Sequence, residues 1–291
     1  MALSSRHLAA LAMLGAVTIY GTNFAISRHA VLNGLTPNDL TALRFAFSGL
    51  VLLPSLLRWG LTDCAGIGWG RGIVLTISSG LPMTLLMLNG LALAPAAHGA
   101  AIAPGTVTVV GAIGAYLLFG ARLSGAAMAG IGVVLSGLFL IGLAGTTSGA
   151  RNVVLGDLCF LGVGLIWGVY PLLLQHWRVD PLRATAVLAV FSMLIFGPWY
   201  LAFGNSQLLA VSIWVVIVHG VNQGILNVIV GLWLWGWAVK KVGAANAGRF
   251  PPLIPVIGTL SAIPLLGELP GLLQWMGIAL IVTGLMISAR K

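Results

Sequence analysis

The chain has 291 residues, of which 59% are hydrophobic and only 7% are charged, and its mean hydropathy is +1.07. A soluble protein carries about 25% charged residues, so this composition excludes a soluble globular domain and predicts an integral membrane protein. The formal net charge is +9, but the basic residues stand singly between apolar runs, a pattern that sets membrane topology and argues against a nucleic-acid partner.

Ten apolar runs follow one another along the chain, and we number them spans 1 to 10. Their apolar residues are continuous and do not alternate, which favours membrane helices over a β-barrel. Each run reaches the roughly 20 residues that a hydrocarbon core requires. The first run has no small-residue cleavage site, so we expect it to be retained. The predicted spans cover residues 8–28, 37–57, 71–93, 96–118, 124–144, 154–176, 182–203, 209–237, 244–266 and 270–289.

The placement of lysine and arginine predicts that both termini are cytoplasmic. With the N-terminus inside, the outside loops hold only Arg28 and Arg151. Ten basic residues then fall on the inside, which is the bias that orients membrane proteins. These ten are Arg6, Arg58, Arg71, Arg122, Arg178, Arg183, Lys240, Lys241, Arg290 and Lys291.

The centre of span 1 carries a polar stretch, residues 18–24, that contains Tyr20 and Asn23. An asparagine in lipid needs a partner, so this stretch must face protein, water or ligand. A related stretch, residues 166–171, lies in span 6 at a shift of 147 positions, about half the length of the chain. It contains Trp167, Tyr170 and Pro171.

The same shift of 147 relates other residues in the two halves. It aligns Tyr20 with Trp167, Ala97 with Ala244, Pro104 with Pro251, Gly120 with Gly267, Gly130 with Gly277 and Gly137 with Gly284. Five spans in each half is an odd number, so the second half enters the membrane inverted. We therefore predict an all-α integral membrane protein of ten transmembrane helices in two inverted five-helix repeats, 1–148 and 149–291, with a substrate site between them.

Spans 3 and 8 each carry a polar or soft stripe at helical spacing. In span 3 the stripe consists of Thr76, Ser79, Gly80, Met83, Thr84 and Met87, and in span 8 of His219, Asn222, Gln223 and Asn227. Either stripe can line a cavity that binds a ligand. The alternatives are a close-packed helix interface in span 3 and an interhelical hydrogen-bond network in span 8.

Aromatic residues and prolines near the middle of the spans are further candidates. Tyr20 and Trp167 are related by the repeat and can stack on an aromatic ring, with core packing as the alternative. Tyr170 follows Trp167. Prolines free a backbone carbonyl and can kink a helix, so we expect hinges at Pro104, Pro171, Pro251 and Pro252.

Three further charged or titratable residues fall inside spans. His98, near the outer end of span 4, is either part of an extracellular gate or a hydrogen-bonded structural residue. Arg44 and Arg249 can each bind a substrate carboxylate or reach helix-end carbonyls and the membrane surface.

Several kinds of site have no counterpart in the sequence. The five acidic residues fall in loops or at span ends, which disfavours a proton antiporter built on a buried carboxylate. Coupling through a histidine stays open, as does facilitated export. No phosphate-binding loop, catalytic grouping or metal-ligand cluster is present, and Cys64 and Cys159 are expected to be unpaired. We expect no enzyme activity, no cofactor and no metal.

The motifs resemble those of a known transporter family. Residues 20–24, 35–37 and 43–45 are similar to the first-half pattern of EamA-type proteins in the drug/metabolite transporter superfamily. Residues 119–124 with Gly130 and Gly137 resemble the junction of the fourth and fifth helices in that family, and residues 266–269 repeat it. Where the family often has an acidic residue after the glycine, the second half has Glu268 but the first half has Ala121. The pattern is most similar to the YddG-type exporters.

The resemblance implies ten helices, cytoplasmic termini and export of aromatic amino acids, with methyl viologen as a further cargo. We therefore expect an exporter of amino acids, Phe, Tyr, Trp and other neutral ones, that acts by alternating access in the bacterial inner membrane. We expect it to function as a monomer whose partners are a small-molecule substrate and the lipid bilayer. The alternatives are a multidrug or cationic-compound exporter and, from another class, an intramembrane enzyme or a non-transporting assembly protein.

Overall fold

A computed structural model describes residues 5–120, 123–147, 151–242 and 250–289, and throughout these ranges the regular structure is helical. Spans 1 and 2 are Ser5–Leu32 and Pro37–Trp59, and span 3 consists of two helices, Trp69–Ser79 and Leu81–Leu93. Spans 4 to 7 are Ala96–Phe119, Gly125–Thr147, Arg151–Trp177 and Pro181–Phe203. Span 8 runs through Ile213–Gly220, a π-helical segment Val221–Val230 and Gly231–Val242, and is followed by spans 9 and 10, Leu253–Leu266 and Leu272–Ser288.

The predicted ten-helix architecture is confirmed. Among the described residues, eight helices are long and apolar enough to cross a membrane, and the two shorter apolar helices of spans 9 and 10 complete the set. Each predicted span overlaps one of these helices. The predicted start of span 9 at residue 244, together with Ala244 itself, lies outside the described residues.

The way the spans pack on one another follows the inverted repeat. Span 4 packs on span 6, and span 9 packs on span 1. Likewise span 3 packs on span 6, and span 8 on span 1. Spans 2 and 7 pair with each other, as do spans 5 and 10. Exchanging each span with the one five places later reproduces this set of contacts, which is what a twofold relation between the halves requires.

Glycines at the crossing of spans 5 and 10 allow the two backbones to approach closely. A Cβ atom on Gly130 would lie 2.6 Å from the carbonyl oxygen of Gly284, and one on Gly137 would lie 2.6 Å from that of Gly277. Such contacts are tolerated only by a residue without a side chain. These four are among the glycines that the 147-residue shift pairs.

The prediction of one continuous helical stripe along span 3 was wrong, because the helix is interrupted at Gly80 (φ −97°, ψ −126°). Pro82, in the first turn of the following helix, has no N–H to continue the hydrogen-bond ladder. A Cβ atom on Gly80 would lie 2.7 Å from Ser192 Oγ of span 7, so a neighbouring span packs against the break. The interruption separates Thr76 and Ser79 from the cavity-facing part of the stripe.

The prolines that we expected to be hinges occupy two kinds of position. Pro104 and Pro171 lie inside helices, in spans 4 and 6. Pro251 and Pro252 form the turn that precedes the helix of span 9, instead of a kink within it. Because proline has no N–H to donate, it is readily accommodated in such a turn.

Candidate functional site

A central cavity lies between the two halves and is lined by residues of spans 1, 2, 3, 4, 6, 8 and 9. Its walls differ in chemistry. Spans 1, 2 and 8 contribute most of the polar side chains, whereas spans 3, 4 and 6 contribute mainly apolar ones. The lining residues are Tyr20, Asn23, Phe24, Arg44, Met83, Thr84, Met87, Leu88, Pro104, Trp167, Gln223, Asn227 and Ile254.

Many of the residues singled out in the sequence meet at this cavity, although they come from distant parts of the chain. They are Tyr20, Asn23, Arg44, Met83, Met87, Pro104, Trp167, Gln223 and Asn227. The remaining candidates lie elsewhere among the described residues: Thr76, Ser79, His98, Tyr170, His219 and Asn222. Arg249 lies outside the described residues.

The apolar wall consists of soft and aromatic side chains in mutual contact. Met83 is buried together with Ala103 and Val163, and Met87 and Trp167 pack against this cluster. Thioether groups adapt to flat rings, and an indole offers a stacking surface. Thr84, which also lines the cavity, has a buried hydroxyl that makes no hydrogen bond within the described part of the chain.

The polar wall is held by amide side chains from spans 1 and 8. Asn222 donates from Nδ2 to Asn23 Oδ1 at 3.0 Å. Asn227 donates from Nδ2 to the backbone oxygen of Asn222 at 2.8 Å, which leaves its own amide oxygen as an acceptor at the cavity. Asn222 thus supports two lining residues without itself lining the cavity.

A π-helical turn sets the positions of these amides. Between Val221 and Val230 the helix is π-helical, with backbone hydrogen bonds between residues five apart, and Asn227 reaches the backbone oxygen of Asn222, five residues earlier. Gly224 allows this segment to approach span 2, because a Cβ atom there would lie 2.8 Å from the backbone nitrogen of Ser48. The polar residues of span 8 were expected to share one face at α-helical spacing, whereas the segment that carries Asn222, Gln223 and Asn227 is π-helical.

Arg44 points to the cavity instead of to a helix end or the membrane surface. Its Nη1 donates to Gln223 Oε1 at 3.3 Å, and its side chain lines the cavity beside Asn23. None of the described residues that line the cavity is acidic, so the guanidinium has no counter-ion there. A ligand carboxylate would supply one.

His98 lies in a separate buried cluster that joins spans 4, 6 and 10. Its Nδ1 is 2.8 Å from Asp157 Oδ1, and its Nε2 is 2.7 Å from Gln274 Nε2. Donation from Nδ1 to the carboxylate and acceptance at Nε2 from the amide satisfy both ring nitrogens. His98 is therefore in contact with other spans and not with the cavity.

Tyr170 and His219, two further candidates from the sequence, also lie away from the cavity. Tyr170 packs among residues of spans 2 and 7, including Leu52 and Val187. His219 is buried, and its Nδ1 has no hydrogen-bond partner among the described residues.

Cys64 and Cys159 are free thiols, and within the described ranges no three His, Cys, Asp or Glu side chains are grouped as metal ligands would be.

The chain matches the model of a known protein family and the fold of a solved structure. The model of the EamA-like transporter family matches residues 7–143 and 154–290, once in each half. A solved structure that covers 98% of this chain, and of which 98% is covered, superposes with a TM-score of 0.64 at 23% identity. That likeness concerns the fold alone.

Two curated relatives carry names that describe export. A protein of Escherichia coli (strain K12), "Probable amino-acid metabolite efflux pump", is 27% identical over 305 residues, which covers 98% of this chain and 95% of the relative. A protein of Streptantibioticus cattleyicolor, "Probable terminal-alkyne amino-acid exporter", is 28% identical over 189 residues, which covers 61% of this chain and 59% of the relative.

Proposed function

The chain belongs to the EamA-like transporter family, and from this we propose that it exports amino acids, among them aromatic and other neutral ones, across the bacterial inner membrane. Family membership indicates a transporter and not an enzyme. The printed names of the two relatives, an amino-acid metabolite efflux pump and an amino-acid exporter, support this substrate class.

The observation that carries the proposal is the two-sided cavity. An amino acid has a carboxylate, an ammonium group and a side chain, and each finds a partner there. The Arg44 guanidinium suits the carboxylate, and the amide oxygen of Asn227 suits the ammonium group. Trp167, Met83 and Met87 suit a flat apolar side chain. We propose Tyr20 and Asn23 as further contacts at the boundary between the two walls.

We propose that transport proceeds by alternating access, with the halves 1–148 and 149–291 rocking about the cavity. The backbones of spans 5 and 10 lie in close contact at their glycines, and we propose that the helices slide past each other there. Pro104 and Pro171 are the proposed hinges within helices, and the break at Gly80 is a third point at which a span can bend. We propose that a single chain suffices and that both termini face the cytoplasm.

A multidrug or cationic-compound exporter is the second candidate. Such a protein binds its cargo with acidic or aromatic groups, and Trp167 and Tyr20 would serve a flat cation. The positive charge of Arg44 and the lack of an acidic group among the described lining residues oppose this candidate.

The experiment that tests the proposal is transport in proteoliposomes. Vesicles containing the purified protein should exchange labelled L-phenylalanine, and methyl viologen should compete poorly. Arg44→Gln should reduce the flux by about tenfold, because a charged hydrogen bond to the carboxylate is lost. Arg58→Gln is the matched control, since Arg58 lies on the same helix at an exposed position.

Each outcome has a clear meaning. Flux no greater than in empty vesicles, for any amino acid, would remove the proposed function. Strong competition by methyl viologen together with unchanged flux in Arg44→Gln would favour the cationic-compound exporter. Flux that persists without a pH gradient and in the presence of an uncoupler would identify facilitated export.

A further inference from the structure

Ser27 is fully buried on span 1 and makes hydrogen bonds in two directions. Its Oγ donates to Asn23 Oδ1 at 3.2 Å. Because that partner is an oxygen that already accepts from Asn222, the Ser27 hydroxyl must be the donor. A hydroxyl has a single proton to give. Ser27 can therefore only accept from its other neighbour.

That other neighbour is Gln223, and its orientation follows from Ser27. Gln223 Nε2 donates to Ser27 Oγ at 2.6 Å, so the amide oxygen is directed the opposite way, towards Arg44 Nη1 at 3.3 Å. Gln223 is fully buried, and these two bonds hold both ends of its amide. If the amide were reversed, its NH₂ group would face the guanidinium, and two donors would meet.

On this basis we propose that Ser27 and Gln223 are positioning residues that hold the Arg44 guanidinium at the cavity and thereby make the transporter selective for substrates with a free carboxylate. This inference rests on the proposed function and deepens it. Substrate touches Arg44, whereas Ser27 acts only through Gln223. Selectivity against amides, esters and decarboxylated amines would follow, because none of them offers the guanidinium a negative oxygen pair.

A purely structural role for the same bonds is the competing explanation, since they also join spans 1, 2 and 8. The two explanations differ in what a substitution changes. Loss of positioning weakens binding of ligands with a carboxylate and leaves ligands without one unaffected. Loss of structure lowers the amount of active protein, and so affects all ligands equally.

The test uses the full-length protein in proteoliposomes with two probes, labelled L-phenylalanine and the competitor L-phenylalaninamide. Ser27→Ala should raise the KM for L-phenylalanine about tenfold and leave the maximal rate within about twofold. The reason is that the lost interaction stabilises the bound substrate and the transition state for transport equally. The inhibition constant of L-phenylalaninamide should not change. Ser48→Ala is the matched control, since Ser48 is equally buried but donates only to the carbonyl of Arg44 in its own helix.

Gln223→Glu provides an independent variant of nearly unchanged volume. The new carboxylate would pair with Arg44 and neutralise it, so L-phenylalanine should bind more weakly and the cationic amide more tightly. A KM in Ser27→Ala that matches the one in Ser48→Ala, or equal loss for both probes in Gln223→Glu, would overturn the positioning role while leaving the exporter intact. Absence of L-phenylalanine flux in the unsubstituted protein would overturn both.

Discussion

Arg28 and Glu268 form an ion pair that joins the end of span 1 to the turn between spans 9 and 10, 240 positions later in the chain. Arg28 also donates from Nη1 to the backbone oxygen of Leu91 at 2.6 Å. Glu268 accepts in addition from the backbone nitrogen of Ala96 at 2.9 Å. Two side chains thus connect the ends of spans 1, 3 and 4 to the 9–10 turn, at one end of the molecule.

The first prediction concerns this ion pair. Glu268→Gln should lower the free energy of unfolding by about 1–2 kcal/mol, less than the roughly 3–5 kcal/mol for a fully buried pair, because both side chains keep some contact with solvent. Thermal unfolding of the protein in detergent measures the effect. Asp63→Asn is the control, since Asp63 is exposed and its side chain makes no capping hydrogen bond. Equal transition temperatures for the two variants would contradict the prediction.

The second prediction concerns His98 and Asp157. A double-mutant cycle with His98→Ala and Asp157→Ala should give a coupling energy of about 1–3 kcal/mol, because either single change leaves a buried partner unsatisfied. SDS-induced unfolding in mixed micelles provides the free energies. A second cycle that combines Asp157→Ala with Ser136→Ala should be additive, since Ser136 donates to its own helix. Additivity in the first cycle as well would mean that the contact between the two residues contributes nothing.

The third prediction tests the crossing of spans 5 and 10. Gly137→Ala should destabilise the protein by about 1–3 kcal/mol, because its Cβ atom would lie 2.6 Å from the carbonyl oxygen of Gly277 and force the helices apart. Gly132→Ala, on the same helix, meets nothing within 4 Å and should be neutral or stabilising by up to about 1 kcal/mol. The same unfolding assay applies, and effects of the same sign in both variants would refute the close crossing.

Much of the fold could be predicted because its signals are local. Hydropathy marks each span, and the odd number of spans in each half implies inversion. The glycine pairs Gly130–Gly277 and Gly137–Gly284 aligned at one shift because close helix crossings accept few other residues. The break at Gly80 and the π-helical turn in span 8 were not predicted, because each depends on close packing against another span. Ser192 of span 7 packs against the break, and span 2 packs against the π-helical turn.

The site was predictable only as a set of polar residues that must avoid lipid. Which partner each one takes depends on packing, so the sequence alone leaves two orientations open for the Arg44 side chain and two roles open for His98. Ser27 was missed for a physical reason. Buried serines commonly donate to their own helix, as Ser48 does to the carbonyl of Arg44. Only the structure distinguishes Ser27, whose hydroxyl lies between two amides.

The fourth prediction follows from the Cys64 thiol, which lies in the loop between spans 2 and 3. Burial raises the pKa of this thiol, and the neighbouring Asp63 carboxylate raises the pKa further. In Cys159→Ser, maleimide labelling at neutral pH should therefore be slow in the folded protein and fast after denaturation. A cysteine introduced by Thr62→Cys, with both native thiols removed, is the exposed control.

The raised pKa of Cys64 also determines how the free energy of unfolding changes with pH. Because the folded pKa lies above the unfolded one, the thiol's contribution to stability is complete below the unfolded pKa and is lost as the pH rises through the folded pKa. Cys64→Ala should lack this alkaline loss in free energy of unfolding. Rapid labelling of native Cys64 at neutral pH, or an identical alkaline profile in Cys64→Ala, would contradict the assignment.

The fifth prediction concerns the apolar wall of the cavity. Trp167→Ala should raise the KM for L-phenylalanine by about tenfold, because ring stacking and buried area are lost, and should leave L-alanine transport within about twofold, because its methyl group reaches no ring. Trp233→Ala is the control, since 60% of the Trp233 surface is exposed on the outside of the bundle. Vesicle flux of both amino acids gives the comparison. If Trp167→Ala slows both to the same degree, Trp167 supports the fold, and an aromatic preference must come from Tyr20 or from the methionines.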